Sequence, residues 1–407
     1  MAADPAFSNS TYAGEYFAER FGPAVIDPAG LIDNQLATPI DRSKYKETVN
    51  EFDDTVVLQT PSASFSDQST TGDIDEINLE LIPWEFHKQL EWSTIYQTWM
   101  NQLLPPGSIN DYQPAQINDQ FLQEVYVPKL KQAQANLVLR GKNALDASIG
   151  SYTFSASYSG LYPLLNAASS VRTNSLAQWA EVVGSVTKGT TTVLTVAGKD
   201  VTSLLFVGNT VSIRNAAGTG WDAINGDFEV LEVAFDGTDS TVTIDVDTDA
   251  LTSGNYTGDS ASIYYINRTN IFEVMANHLT RIPVAVRRQN PKIAIPNELE
   301  YEWQFANATK DSNINSQGYL SSYQMQMIDK QVVVLDNAPA NTLGSWLPKH
   351  VFYAFDLADD ASNARMTWMG DTTNEDLYRL KVRSKTAVAI TTKFEAEMTY
   401  TRPPLVS

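Results

Sequence analysis

The residues best suited to acid–base or metal chemistry are three histidines, His87, His278 and His350. They lie far apart in the sequence and form neither an HExxH motif nor a pair at helical spacing. The chain also lacks the GxSxG, GxGxxG and GxxxxGK[ST] motifs of hydrolases, dinucleotide-binding proteins and P-loop enzymes. We therefore expect that the protein is not an enzyme and uses no cofactor.

Alternating acidic residues form a second group that could do chemistry. Asp245, Asp247 and Asp249 resemble the first ligands of a calcium loop, but the sixth loop position is not glycine and the twelfth is not glutamate. A solvated strand edge without a metal ion is the expected structure, because acidic residues there oppose edge-to-edge aggregation. The pair Asp359-Asp360 indicates a polar turn rather than the two carboxylates of a glycosidase.

Aromatic residues could form a stacking platform for a sugar or a nucleic-acid base. Trp84, Trp92, Tyr96 and Trp99 are the candidates. Their spacing is that of strands and helices, where such side chains are typical of a core or a subunit contact. We expect the latter roles.

Composition excludes several classes of protein. The chain has 407 residues, enough for two or three domains, with 48 acidic against 28 basic residues and a net charge of -20. Because no run of Lys and Arg is present, a sequence reader of nucleic acid is excluded. Neither an apolar membrane-spanning segment nor a secretory leader is evident, and the absence of cysteine fits a reducing compartment.

The element that could organise the fold is Phe121–Arg140. Apolar residues recur at steps of three and four, which predicts an α-helix about 30 Å long. Pro128 predicts a kink or a late start, and Gly141 is suited to the C-cap. A smaller apolar patch on a second flank indicates a spine that crosses a sheet.

The N-terminal part is predicted to be an extended arm, residues 1–45, interrupted by prolines. Its apolar residues include Phe17 and Phe21, in a short helix predicted at Gly14–Phe21. Such an arm can cover a neighbouring subunit but cannot build a core. We therefore expect residues 1–40 to matter more to assembly than to protomer folding.

A long hairpin is predicted for residues 46–92, followed by a short helix at Ser93–Leu104. The segment Ser66–Asp75 is polar and rich in turn residues, so it forms the expected solvated tip. Asp67, Asp73 and Asp75 are expected near this tip, in contact with an adjacent subunit.

Residues 183–267 contain short strand patterns separated by turn signals, without a helix. The predicted strands are Thr192–Val196, Asn209–Ile213, Phe228–Phe235, Thr241–Val246 and Ala261–Ile266. We predict a small barrel or sandwich that folds by itself, inserted into a mixed domain whose helical pattern resumes at Ile271–Leu279.

The C-terminal part is predicted to form long strands. Tyr378–Val382 alternates, and a second alternation from Val388 to Tyr400 predicts a strand of roughly 43 Å. This length matches the helix, so the two could cross as layers of one domain.

An arm, a hairpin, a spine helix, a mixed domain with an insertion and a long terminal strand follow each other in this order. The order resembles the major capsid proteins of tailed bacteriophages, which have the Hong Kong 97-type fold. Arg140-Gly141-Lys142-Asn143 looks like the end of the spine helix in that family, and Gln331–Thr342 is similar to passages of its axial domain.

The resemblance implies an α+β Hong Kong 97-like capsid fold with a small all-β insertion domain. Its parts would be the arm (1–45), the hairpin loop (46–92), a peripheral domain (93–160 and 373–407), an axial domain (161–182 and 268–372) and the insertion (183–267). The implied partners are copies of the chain in hexamers and pentamers, with portal, decoration or scaffolding proteins. Such a shell encloses double-stranded DNA in a virion assembled in the bacterial cytoplasm, without a membrane.

Two alternatives remain open at this stage. An encapsulin-like bacterial compartment would have the same fold and a different cargo. A carbohydrate-binding or hydrolytic surface protein would be a soluble monomer.

Overall fold

The computed structural model describes residues 27–41, 46–53, 73–91, 125–141, 159–217, 220–251, 256, 261–310, 325–327, 330–356, 364–368 and 377–404. The fold is mixed α+β and divides into two compact units. Unit 1 contains the described residues up to 141, residues 159–164 and residues 351–393. Unit 2 contains residues 165–350 and the described residues from 394 onward.

The strands in chain order are β1 (Thr38–Ile40), β2 (Lys46–Asp53), β3 (Asp73–Glu80), β4 (Ile82–Glu91), β5 (Arg172–Ser175), β6 (Ala180–Val182), β7 (Ser185–Thr187), β8 (Thr192–Val196), β9 (Thr210–Arg214), β10 (Gly226–Phe235), β11 (Ser240–Ile244), β12 (Ser262–Tyr264), β13 (Lys292–Pro296), β14 (Met325–Met327), β15 (Lys330–Leu335), β16 (Leu343–Trp346), β17 (Val351–Phe355), β18 (Ala364–Trp368), β19 (Leu377–Ile390) and β20 (Thr399–Arg402). The α-helices are α1 (Val127–Arg140), α2 (Leu161–Ala167), α3 (Ile271–Arg281), α4 (Val284–Arg287) and α5 (Glu298–Lys310). In this described part of the chain, no helix is both long and apolar enough to cross a membrane.

The sheet of unit 1 is built around the long strand β19. Strand β4 pairs antiparallel with one edge of β19 over ten residues. Strands β18 and β17 pair antiparallel with the other edge, and β1 adds to β17 in parallel. Thr386 has partners in both β4 and β17, so these two strands must lie on opposite edges.

Helix α1 packs across this sheet, on β19 and not on the predicted strand from Val388 to Tyr400. Leu130 and Leu137 contact a core made with Trp84, Leu380 and Val382. The helix begins at Val127 with Pro128 in its first turn, so the proline marks a late start and not a kink. Residues 121–124 lie outside the described range.

The helix ends where two glycine backbones meet. Gly141 has a φ of +64°, and its N–H donates to the carbonyl of Leu137 at 2.9 Å. A Cβ at Gly141 would lie 2.3 Å from the backbone nitrogen of Gly160. The glycine expected at the C-cap is therefore required both by its left-handed φ and by this close approach.

The predicted arm is too long at its C-terminal end. Leu31 and Leu36 are fully buried, and β1 is a strand of the unit 1 sheet. The carboxylate of Asp27 accepts the N–H groups of Ile32 and Asp33 and so stabilises a compact turn. Deleting residues 1–40 would thus remove part of the protomer, and only residues 1–26 remain as a predicted arm.

Unit 2 contains a six-stranded mixed sheet in the order β14-β15-β13-β16-β20-β5. Helices α3 and α5 pack on it: Met275 and Trp303 belong to the same apolar core as Ile293 and Ile295. The rings of Phe272 and Trp303 lie 5.0 Å apart and join the two helices. Helix α3 confirms the predicted return of helical pattern at residue 271.

The β segment forms an antiparallel seven-stranded sheet in the order β6-β12-β9-β10-β11-β8-β7. The five predicted strands are confirmed with small shifts at their ends, and β6 and β7 were not predicted. Strand β10 pairs with β9 through residues 226–229 and with β11 through residues 230–235, with a bulge between Val230 and Glu232. One strand thereby serves both halves of the sheet.

This β segment is connected to the rest of unit 2 by Asn341. Its side-chain amide donates to the carbonyl of Thr210 and the hydroxyl of Ser212, and its oxygen accepts the N–H of Ile266. Because the segment belongs to the compact unit 2, its folding as a separate domain stays a prediction.

The prediction of one strand from Val388 to Tyr400 is wrong. Strand β19 ends at Ile390, a 3-10 helix covers Glu395–Glu397, and β20 pairs with β16 and β5 in unit 2. The long strand is instead β19, which comprises the fourteen residues Leu377–Ile390. Consequently the division between the units falls at residues 350/351 and 393/394, and not at the predicted 372/373.

Candidate inter-subunit surfaces

The described structure gives the buried histidine His278 a structural role. His278 is a residue of α3. Its Nδ1 lies 2.8 Å from the hydroxyl of Thr401, and its Nε2 lies 2.9 Å from the hydroxyl of Ser345. Complete burial lowers the pKa of His278 to about 3, because desolvation penalises the imidazolium. The neutral ring therefore ties α3 to strands β16 and β20.

His350 and His87 have separate surroundings. The buried Nδ1 of His350 accepts the N–H of Leu347 at 3.2 Å, so its proton is on Nε2, which lies 2.9 Å from a carboxylate oxygen of Glu397. Its ring stacks on Phe394. His87 is exposed on β4 beside Glu85. These contacts stabilise local structure and contain no nucleophile–base–acid arrangement.

The alternating aspartates follow β11 in a loop, so the predicted strand edge is incorrect. The strand ends at Ile244, and the carboxylate of Asp247 accepts the N–H of Asp249 at 2.9 Å to close a turn. Asp245, Asp247 and Asp249 are all exposed. Among the residues that the structure describes, no cluster of three His, Asp or Glu side chains is suited to a metal ion.

Of the four aromatic candidates, the structure describes only Trp84. Trp84 is buried in the core beneath α1, as expected of a packing residue. Trp92, Tyr96, Trp99 and the Asp359-Asp360 pair lie outside the described residues, as do the predicted helices at Gly14–Phe21 and Ser93–Leu104 and the strand pattern Thr55–Leu58.

The feature best suited to contact another subunit is the two-stranded hairpin of β2 and β3. Its base is anchored: Ile77 and Leu79 pack with Phe352, Ala354 and Ala387 of the unit 1 sheet. The register pairs Val49 with Ile77 and Glu51 with Asp75. The base of the hairpin is thus fixed by apolar packing on one face.

The carboxylate of Glu51, two residues beyond Val49 in β2, attaches the hairpin to the chain after β19. Glu51 is buried, and its Oε2 accepts the N–H and O–H of Thr392 and the N–H of Lys393 at 3.0, 3.1 and 3.2 Å. On the opposite strand, Asp75 forms an ion pair of 3.8 Å with the nearly buried ammonium of Lys393. These bonds attach the hairpin to the chain two and three residues beyond the end of β19.

Beyond this fastening the hairpin exposes two large apolar side chains. Phe52 and Ile74 are direct cross-strand partners and remain 59% and 63% exposed. Direct partners have Cβ atoms about 5 Å apart, so the two side chains form one patch. Burial of either side chain by a partner would stabilise the contact by about 1.5–3 kcal/mol.

The predicted contact residues are only partly described. Phe17, Phe21 and Asp67 lie outside the described residues. Asp73 and Asp75 are not in a loop tip, because they are the first and third residues of β3. Phe52 and Ile74 were not predicted, although each follows an acidic residue in an alternating segment, EFD or DID, that signals an apolar strand face.

No protein-family model matches the chain, and no curated protein matches it in sequence. Solved structures do resemble it. The capsid of an empty GTA particle has 9% identity and a TM-score of 0.44, with 93% of this chain and 90% of that chain covered.

Two further resemblances extend over similar lengths. The procapsid of satellite phage P4, which includes the size determination (Sid) protein, has 11% identity and a TM-score of 0.43, covering 100% and 94% of the two chains. The capsid of Myoviridae phage XM1 has 8% identity and a TM-score of 0.38, covering 96% and 92%. These three solved structures are a GTA particle capsid, a phage procapsid and a phage capsid.

Proposed function

We propose that the chain is the major subunit of an icosahedral phage capsid, with a structural and not an enzymatic role. The observation that supports this most directly is the hairpin, whose base is buried in its own protomer while Phe52 and Ile74 remain exposed. In an assembled shell, a neighbouring copy would bury these two exposed side chains of the hairpin. Many such contacts in one shell give high avidity even when each contact is weak.

We further propose that the fold is Hong Kong 97-like. Helix α1 is its spine, unit 1 corresponds to the peripheral domain with the hairpin loop, and unit 2 corresponds to the axial domain with the β segment as an insertion. Residues 1–26, with Phe17 and Phe21, would form the arm that covers a neighbour. The order of these elements along the chain supports this assignment.

Net charge supports a container for DNA. A chain at -20 repels phosphate and cannot gain affinity by releasing many counterions from DNA. Copies of the chain in hexamers and pentamers would therefore enclose double-stranded DNA without binding it sequence-specifically. Portal, decoration or scaffolding proteins are the further partners of such a shell, which would assemble in the bacterial cytoplasm and persist in the virion.

Negative-stain microscopy of the expressed 407-residue chain tests this function. Closed shells of uniform size are expected, and a uniformly monomeric protein at high concentration would contradict the proposal. An encapsulin-like compartment would also form shells, so the second readout is the content of particles isolated from infected cells. Phage DNA is expected there, whereas a packaged enzyme would favour the compartment and glycan binding by a monomer would favour a surface protein.

A further inference from the structure

Helix α1 places one buried glutamine against the sheet of unit 1. Gln134 lies four residues after Leu130 and three residues before Leu137, so the three side chains share one face of the helix. Leu130 and Leu137 pack with the core of the sheet, whereas Gln134, which is only 3% exposed, brings an amide into the same layer. Neither its Oε1 nor its Nε2 has a hydrogen-bond partner in the part of the chain that the structure describes.

The sheet presents three further polar groups to this layer. Along β19, Ser384 and Thr386 continue the alternation of Val382, which packs beneath α1, so all three lie on the same face of the sheet. Trp84 of β4 is the direct cross-strand partner of Ser384 and belongs to the same core as Val382. Among the described residues, the Oγ of Ser384, the Oγ1 of Thr386 and the Nε1 of Trp84 are likewise buried without a hydrogen-bond partner.

These four side chains, Trp84, Gln134, Ser384 and Thr386, are here called the polar layer. A buried donor or acceptor that lacks a partner destabilises the fold by its full desolvation penalty, so buried polar groups are almost always paired, either within the protein or with ordered water. Four such side chains between one helix and one sheet indicate a common partner rather than four separate exceptions.

The chemistry of the polar layer selects water as this partner. Its indole is a donor, its amide has both donors and an acceptor, and its two hydroxyls can do either. None of its side chains carries a charge, and the neighbouring core residues Leu130, Leu137 and Leu380 are apolar, so an ion would lose its hydration without gaining a counter-charge. A water molecule both donates and accepts, and roughly two to four polar partners are sufficient to hold it in an interior.

We propose that the polar layer is a binding site for ordered water, in which at least one water molecule bridges the amide of Gln134 on α1 to the hydroxyl of Ser384 on β19. The site joins helix and sheet by hydrogen bonds where their apolar packing is interrupted. It thereby fixes the position of α1 along β19, because a shift of the helix would break these bonds. The inference does not rest on the proposed function, since the polar layer belongs to unit 1 of a single protomer.

A structure of the 407-residue chain, at a resolution that shows ordered water, tests the site directly. We expect a water peak within about 3.2 Å of both the amide of Gln134 and the Oγ of Ser384. A direct hydrogen bond between these two side chains would overturn the proposal, and so would the lack of any water peak beside Gln134.

Substitution of Gln134 gives an independent test through the sign of its effect. Gln134→Met keeps the length of the side chain and removes both polar atoms of the amide. Because the bound water then loses a partner, the melting temperature should fall by roughly 2–4 °C. If the amide bound nothing, its removal would leave the melting temperature unchanged or raise it, and either result would overturn the proposal. Gln132→Met is the control, because Gln132 is exposed on the same helix and its replacement should shift the melting temperature by less than about 1 °C.

Ser384→Ala tests whether Gln134 and Ser384 bind the same water. The double variant Gln134→Met/Ser384→Ala should lose less melting temperature than the sum of the two single losses, because both substitutions act on one site. Additive losses would show that the two side chains are not bridged and would overturn the proposal. If Gln134→Met does not fold, the water peaks in the parent structure decide alone.

Discussion

One carboxylate oxygen of Glu51 accepts both the N–H and the O–H of Thr392, at 3.0 and 3.1 Å, across 341 positions of sequence. The same oxygen accepts the N–H of Lys393, the last residue of unit 1. The hairpin is therefore fixed to the turn at which the chain passes into unit 2. Strand β19 ends two residues before Thr392, at Ile390, so this one buried acid attaches the hairpin just beyond the end of the strand.

Replacement of Glu51 by alanine should destabilise the protomer. The change leaves the N–H groups of Thr392 and Lys393 without their acceptor, and such a loss costs about 1–3 kcal/mol. We expect a lower melting temperature together with faster hydrogen exchange in β2 and β3. Glu76→Ala removes an exposed carboxylate from the same hairpin and should change neither quantity. Equal effects of the two substitutions would show that the bonds to Glu51 do not hold the hairpin.

The exposed pair Phe52 and Ile74 should act on assembly and not on folding. In the double variant Phe52→Asp/Ile74→Asp, two charges replace the apolar patch, so particle yield should fall at least tenfold. Because both side chains are exposed in the protomer, its melting temperature should change little. Thr48→Asp/Asn78→Asp adds the same charge to a polar pair of the same hairpin and should still assemble. Normal yield from the apolar-pair variant would exclude this patch from the interface.

The acidic residues of the hairpin can now be separated into two tests. Asp67→Lys/Asp73→Lys should shift the salt concentration at which particles dissociate, because a rim contact between charges is screened by salt. Asp75→Lys should in addition lower the protomer melting temperature, because it places a second cation beside Lys393, although a half-exposed ion pair contributes only about 0.2–1 kcal/mol. Unchanged salt tolerance in the first variant would show that Asp67 and Asp73 do not contact a neighbour.

The sequence was sufficient where local pattern and tertiary structure agree. The period of α1, the glycine at its end and five strands of the β segment follow from hydrophobic spacing and turn residues, and the structure has them. The alternation from Val388 to Tyr400 was misleading, because pairing with β17 ends at Ile390, and residues 399–402 pair with the distant strands β16 and β5 instead. No local pattern can contain that information.

The arm shows a second limit of sequence reasoning. Leu31 and Leu36 lie in a proline-containing segment without period, which is typical of extended chain, yet both are buried in the protomer. The strand that follows them, β1, pairs with β17, more than 300 residues away, which no local pattern predicts. The same limit applies to Phe52 and Ile74, since alternation predicts a strand face but cannot say whether that face is covered.

His278 should make protomer stability depend on pH. Its pKa is about 3 in the folded state and about 6.5 when exposed, so the unfolded chain binds the extra proton. Stability is therefore fully present above pH 6.5 and falls as the pH decreases toward 3, by at most about 1.4 kcal/mol per pH unit. Between pH 7.5 and 5.5, the melting temperature of His278→Gln should fall less than that of the parent. Identical slopes in His278→Gln and the parent would refute the assignment.

The contact between Gly141 and Gly160 predicts how the end of α1 tolerates a side chain. Gly141 and Gly198 have nearly equal φ values, +64° and +67°, so alanine is strained at both positions. A Cβ at Gly198 meets nothing within 4 Å, whereas a Cβ at Gly141 would lie 2.3 Å from the backbone nitrogen of Gly160.

Gly198→Ala should therefore cost only the left-handed backbone strain of about 1–2 kcal/mol. Gly141→Ala adds a clash with backbone that cannot rotate away, so α1 or the segment at Gly160 must move, and we expect a loss at least 2 kcal/mol larger than that of Gly198→Ala. Denaturant unfolding of the two variants measures the difference directly. If Gly141→Ala prevents folding, Gly160→Ala tests the same contact from the other side, because its Cβ would lie 2.3 Å from the nitrogen of Gly141 without a left-handed φ. A Gly141→Ala protein as stable as Gly198→Ala would show that the two glycine backbones are not in contact.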